Sequence, residues 1–157
     1  MDKSVLDTSV IVKSIFKPMK SLPDDIYKRE METHKKCICI IKTIEEKNID
    51  IYIPYVSVVE IAAVVKRLSN KNLAGRISKS IFDSYEIIGE HIIFESAWDI
   101  AKNTGCSGFD SYFIALAHIK NASLITDDGG MHNHAEEIGV DSVLIRETEL
   151  KNIKKLF

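Results

Sequence analysis

The sequence predicts an α/β domain built on a mostly parallel sheet, and three observations predict it. Short apolar runs of strand length recur along the chain, stretches with helical spacing separate them, and no repeat or low-complexity tract breaks the alternation. Strands alternating with helices imply βαβ units, whose crossovers lay helices over a sheet of parallel strands. With 157 residues and 45% apolar composition, the chain is expected to hold one domain, large enough for a two- or three-layer core without staples.

The elements are expected in this order. A first strand covers 4–6 (Ser4-Val5-Leu6) and leads into a helix. The segment from Pro18 to Asp50 is longer than a simple crossover; Pro18 and Pro23 punctuate its start, Asp24 suits a helix cap, and the run to about Asn48 is helix-forming and charged on one side. It is expected to be a protruding helical arm at about 18–50. A second strand covers 51–53, and a helix pair fills 55–89, broken near Ser69-Asn70 and ended by Gly89, with Val58, Ile61, Val65 and Leu68 on one face. The third strand is expected at 91–94 (His91-Ile92-Ile93-Phe94) and a helix at 96–103, stopped by Gly105 and Gly108. Another helix begins near Asp110, with Phe113, Ile114 and Ala117 facing the core. Strands at 123–125 and 142–145 flank a helix that Gly129-Gly130 opens and Gly139 ends, and a last helix covers 147–156.

Bulk properties narrow the function classes. A formal charge of −2 gives no general attraction to a polyphosphate backbone, so nucleic acid, if bound, must meet a local basic patch or bound cations. Cys37, Cys39 and Cys106 are odd in number and lack framework spacing; they read as buried small apolar residues of a reducing compartment. His34 to Cys39 does not match zinc-ligand spacing. The N-terminus lacks a secretory apolar region and no apolar run approaches the roughly 20 residues of a membrane span. A soluble cytoplasmic protein, with no membrane partner, is the expectation.

The chemistry lies in the carboxylates. In a parallel sheet the residue just past each strand and the N-terminus of the following helix share one edge. Asp7 follows the first strand directly, and Asp128 follows the fourth just after Thr126. Asp110 starts the helix leading back to that strand, and Glu60 lies in the first two turns after Ile51–Ile53. All four are expected at the carboxyl edge. Asp110 heads the stripe Asp110, Phe113, Ile114, Ala117, and Glu60 interrupts Val58-Val59-Glu60-Ile61-Ala62-Ala63-Val64-Val65, a run so apolar that much of its helix is expected to be buried. A carboxylate in such surroundings has to be protonated, paired or metal-bound. Four clustered acids without histidine or thiolate suit Mg²⁺ or Mn²⁺, which can activate water for in-line attack on a phosphodiester. Thr8, Ser9 and Thr126 would support the acids or contact phosphate. Taken singly, Asp7 and Asp110 also fit helix caps and Asp128 a turn residue. His132 and His134 read as surface or helix-face residues.

Four stretches resemble, in order, the motifs of PIN-domain ribonucleases, most closely the VapC-like toxins: Val5-Leu6-Asp7-Thr8-Ser9, Val58-Val59-Glu60-Ile61, Phe109-Asp110-Ser111-Tyr112-Phe113-Ile114-Ala115-Leu116-Ala117 and Leu124-Ile125-Thr126-Asp127-Asp128. The resemblance spans about residues 4–145. It implies a three-layer α/β/α fold with a five-stranded parallel sheet in order 3-2-1-4-5, and Mg²⁺- or Mn²⁺-dependent endonuclease cleavage of RNA. Asp7, Glu60, Asp110 and Asp128 match the catalytic, metal-holding acids and Thr126 the hydroxyl, and Asp127 adds a neighbouring charge. It further implies a homodimer and a cognate antitoxin. The departures are the longer segment at 18–50 and Gly129-Gly130 after the last acid. Substrate contacts are expected from Lys13 and Lys17, and from Lys66, Arg67, Lys71, Arg76 and Lys79.

Two other readings compete. A phosphatase with an aspartyl nucleophile usually has a second Asp two residues on, where this chain has Ser9. A non-catalytic RNA-binding or RNA-processing assembly module would keep the fold without the activity.

Overall fold

Strand burial sets the order of the sheet. The computed structural model describes residues 2–157, with strands β1 (Lys3–Leu6), β2 (Asp50–Pro54), β3 (Glu86–Ile88), β4 (Ser123–Thr126) and β5 (Ser142–Leu144). Beyond their first residues β1, β2 and β4 are buried throughout, as strands covered on both faces must be, whereas β3 and β5 are buried only at their last residue. The former are central and the latter form the edges, in order β3-β2-β1-β4-β5, with every pairing parallel.

The helices are α1 (Thr8–Ile15), α2 (Asp24–Lys47), α3 (Tyr55–Leu68), α4 (Lys71–Ser84), α5 (Glu90–Thr104), α6 (Gly108–Lys120), α7 (Gly129–Glu137) and α8 (Leu150–Leu156), with a 3-10 turn at Ile145–Glu147. Successive side chains of a strand point to opposite faces, so Val5 and Leu6 belong to different cores. Val5 lies in the cluster of Ile93, Ile100, Phe113 and Ala135, from α5, α6 and α7. Leu6 lies in the cluster of Val10, Ile40, Ile61, Ile81 and Ile153, from α1, α2, α3, α4 and α8. The result is three layers, α/β/α, as the resemblance implies.

Three expectations need correction. The third strand is at 86–88, not 91–94. Only Ile93 of that apolar run is buried, while Ile92 and Phe94 are 60% and 54% exposed, a helical rather than extended distribution within α5. Gly89 is therefore the residue before α5 rather than the end of α4, which stops at Ser84. The last helix starts at Leu150 rather than 147, because the chain leaves β5 through the 3-10 turn.

The segment at 18–50 is helical over Asp24–Lys47 but does not stand off. Thr33, Cys37, Ile40 and Ile44 fall at i, i+4, i+7 and i+11 and are buried against the sheet's α1 side. Asn48 ends α2 in the left-handed conformation, φ 51°. Cys37 and Cys106 are buried and Cys39 partly so; burial pushes the Cys37 thiol up to about 12. Among the described residues no helix is long and apolar enough to cross a membrane.

Because α2 is part of the core, Ile40→Ala is expected to destabilise the protein by roughly 2–5 kcal/mol in denaturant unfolding. A freely protruding arm would give a change within about 0.5 kcal/mol.

Candidate active site

Pairing of β1 with β4 builds the centre of the site. Leu6 is opposite Ile125, and the Asp7 amide donates to the Ile125 carbonyl at 3.0 Å, so Asp7 and Thr126 leave the sheet side by side. The Thr126 hydroxyl, fully buried, donates to Asp7 Oδ2 at 2.8 Å and accepts from the Asp128 amide at 2.9 Å. One side chain therefore orients two acids. Ser9 adds a hydroxyl bond to Asp7 Oδ2 at 2.5 Å and an amide bond to Oδ1 at 3.4 Å, which makes Asp7 the N-cap of α1. Asp128 is likewise the N-cap of α7, its carboxylate accepting from the amides of Gly130 (2.7 Å) and Met131 (3.0 Å). The capping role and the site role coincide, because helix N-termini favour negative charge where the strands deliver it.

The other two acids come from the helices. Asp110 lies in the first turn of α6, capped by Ser107, and is half-buried. Helix α3 has no side-chain cap of its own; Glu90 reaches over and accepts from the Val56 amide at 2.5 Å, fixing the helix start that carries Glu60. Asp7, Glu60, Asp110 and Asp128 all line one cleft of about 450 Å³.

Glu60 corrects the expectation of burial. It is exposed, and so is Val59 at 68%; the buried face of α3 is Ser57, Ile61 and Val65. The apolar run supplies more hydrophobic residues than that face accepts. The crowded carboxylate is instead Asp7, only 6% exposed. Burial pushes its pKa up, hydrogen bonds from Ser9 and Thr126 offset part of this, and repulsion from Glu60 adds to it.

Asp127 does not add free charge. It is 3% exposed and turned toward Lys13, whose Nζ is 2.5 Å from its Oδ2, and toward Arg146, whose Nε is 3.2 Å from its Oδ1. Arg146 Nη2 also donates to the Asp127 carbonyl. Lys13 is thus an internal counterion, not a free substrate contact, and it also pairs with Glu30 at 2.7 Å. Burial acts to lower the Lys13 pKa, but the two carboxylates outweigh it and hold it raised; Lys13 in turn holds Glu30 lowered against burial. Thr8 lines the cleft but shares a buried hydrogen bond with Ser57 at 3.0 Å, tying α1 to α3.

Lys17, Lys66 and Arg67 are exposed and do not line the cleft, nor do Lys71, Arg76 and Lys79 on α4. His132 bonds the Ser142 hydroxyl at 3.0 Å and His134 stands 3.5 Å from Glu137, both away from the acids. Sequence reasoning missed Arg146, which lines the cleft. A signal existed: β5 pairs with β4, Leu144 lying opposite Thr126, so residues just past β5 arrive beside Asp127 and Asp128.

The donor set is all carboxylate oxygen, which suits a hard divalent cation, and a positive charge would relieve the repulsion felt by Asp7. Among the described residues no three His, Cys, Asp or Glu side chains already form a closed ligand group, so the acids line an open cleft and would converge on an ion from its walls.

The family model of the PIN domain matches residues 25–137, a span that includes Glu60, Asp110 and Asp128. No curated protein sequence matches the chain. Among solved structures, FitAcB from Neisseria gonorrhoeae is similar at 22% identity and TM-score 0.60, over 92% of this chain and 99% of that one. FitAB bound to an IR36 DNA fragment gives 22% and 0.62, over 93% and 97%. A toxin-antitoxin complex from Klebsiella pneumoniae gives 13% and 0.54, over 80% and 86%. At these identities the structures share the fold.

The raised Asp7 pKa fixes the sign of a pH effect. Stability linked to such a group is full below the unfolded carboxylate value and is lost as pH rises through the higher folded value. Asp7→Asn is therefore expected to melt above the native protein in EDTA at pH 7.5. The gap should close below about pH 4; thermal melts across that range check it.

Proposed function

The chain belongs to the PIN-domain family, and from that premise we propose that it is a Mg²⁺- or Mn²⁺-dependent endoribonuclease, the toxin of a VapC-like toxin-antitoxin pair. The single observation that carries the reading is the cleft shared by Asp7, Glu60, Asp110 and Asp128, whose acids outnumber the cations within reach. Its two basic residues, Lys13 and Arg146, are both paired with Asp127.

Divalent ions bound there would supply an activated water and neutralise charge on the leaving oxygen of the phosphodiester. Asp7, Asp110, Asp128 and Glu60 are the residues that would hold them. Thr126 and Ser9 hold the Asp7 carboxylate in one orientation, and Thr126 fixes the Asp128 main chain, so two of the acids are preorganised before substrate arrives. The opening of the cleft to solvent supports an extended strand as its occupant. RNA as the substrate follows from the family resemblance, and nothing in the cleft is aimed at a 2′-hydroxyl.

The similar complexes are described as toxin-antitoxin and DNA-bound assemblies, which supports an antitoxin as partner here. A homodimer in the cytoplasm, with the whole chain acting as one nuclease domain and α2 packed on it as a long first crossover, completes the reading.

The test is cleavage of end-labelled single-stranded and structured RNAs with Mn²⁺ or EDTA. Cleavage with metal and none with EDTA is expected. Thr126→Val should lower the rate about 10–100-fold, and Asp7→Asn or Asp110→Asn by more. If metal-loaded protein leaves all RNAs intact and Asp7→Asn changes only RNA affinity, the non-catalytic RNA-binding reading takes its place.

A further inference from the structure

Among the cleft residues, Arg146 stands apart in having an anchored position and unused donors. Its backbone carbonyl accepts from Lys36 Nζ at 3.2 Å, and Lys36 is itself buried in α2. Its guanidinium is held by Asp127 through Nε and Nη2, yet the side chain is 45% exposed. Those bonds leave Nη1 and the second Nη2 hydrogen without a protein partner among the described residues. Arg146 makes no ion pair with the four site acids; Asp127 is its partner. Lys13, the other cation of the cleft, is already shared between Asp127 and Glu30.

We propose that Arg146 is a substrate-binding residue that grips an RNA phosphate flanking the scissile one, with Asp127 as the residue that positions it. This rests on the nuclease reading above and adds a polarity to the cleft. Order along the sheet edge places Glu60 after β2, Asp7 after β1, Asp128 after β4 and Arg146 after β5. The end of β5 is two strand spacings from that of β1, about 10 Å. The strand of RNA therefore crosses the edge from the α3 side to the β5 side, and the Arg146 contact lies beside the reacting phosphate. A planar guanidinium with free N–H groups on one side is suited to two phosphate oxygens at once. A buried carboxylate such as Asp127, immovable at the end of a central strand, keeps the fork from folding onto the site acids.

The experiment is steady-state cleavage of single-stranded RNA by Mn²⁺-loaded protein over a series of salt concentrations, with melting curves alongside. Arg146→Met is expected to raise KM about tenfold, to leave kcat within roughly threefold, and to reduce the salt slope of RNA binding by about 0.7, the loss of one phosphate contact. Arg146→Lys keeps the charge and the slope but not the fork, so its KM should fall between. Because Arg146→Met leaves Asp127 with Lys13 as its remaining side-chain partner, Arg146→Gln serves as a second variant: it removes the charge but keeps an amide that can donate to Asp127, and it should show the same raised KM and reduced slope. A native salt slope and KM in a folded Arg146→Met or Arg146→Gln variant overturns the assignment while the nuclease reading stands. Native protein that cleaves no RNA overturns both.

Discussion

The hydroxyl of Thr126 is the point on which the fold and the site jointly depend. It stands at the end of a central strand, is closed to water, and bonds at once to the carboxylate that ends β1 and the amide that begins the loop to α7. Parallel pairing brings these two strand ends together, and one hydroxyl is small enough to fill the gap while offering both a donor and an acceptor. Removing it would leave a buried carboxylate short of a hydrogen bond and an amide without its acceptor, each a cost of about 1–3 kcal/mol. The helices that follow are then capped by the very acids this bond orients.

Electrostatics divides the cleft into two territories. On one side Asp7, Glu60, Asp110 and Asp128 have no basic side chain paired with them among the described residues. On the other, Asp127 collects Lys13 and Arg146, and Lys13 collects Glu30. Alternation along the chain separates them, because adjacent residues at the end of a strand point in opposite directions. Thr126 faces the acids, Asp127 faces the bases, and Asp128 turns back to cap its helix. Repulsion in the first territory works against folding, and pairing in the second holds its side chains in place.

Much of the fold was legible because it depends on patterns that repeat. Strand-length apolar runs alternating with helical ones require parallel pairing, and parallel pairing puts Asp7, Asp110, Asp128 and Glu60 at one edge. What could not be read depended on which of several apolar residues meets a neighbour. The run Ile92-Ile93-Phe94 looks like a strand until its burial is known, and β3, with only Glu86-Ile87-Ile88, is too short to announce itself. Glu60 reaches the edge by its position just after β2, but the expectation that apolar neighbours bury it fails, since its helix is apolar on exposed positions too. The pairing of Lys13 and Arg146 with Asp127 joins residues more than a hundred positions apart in one case and is invisible without the fold.

Helix α2 lies in sequence between β1 and β2, yet its side chains reach the opposite flank. His34 Nδ1 donates to the Lys13 carbonyl at 2.5 Å, Glu30 pairs with the Lys13 ammonium, and Lys36 supports the Arg146 carbonyl. The long crossover is thus a brace for both cations of the cleft. Substitution in this crossover is correspondingly unequal in effect: its exposed first turns can change charge at little cost, whereas a change at Glu30, His34 or Lys36 disturbs the anchoring of Lys13 or Arg146 from a distance.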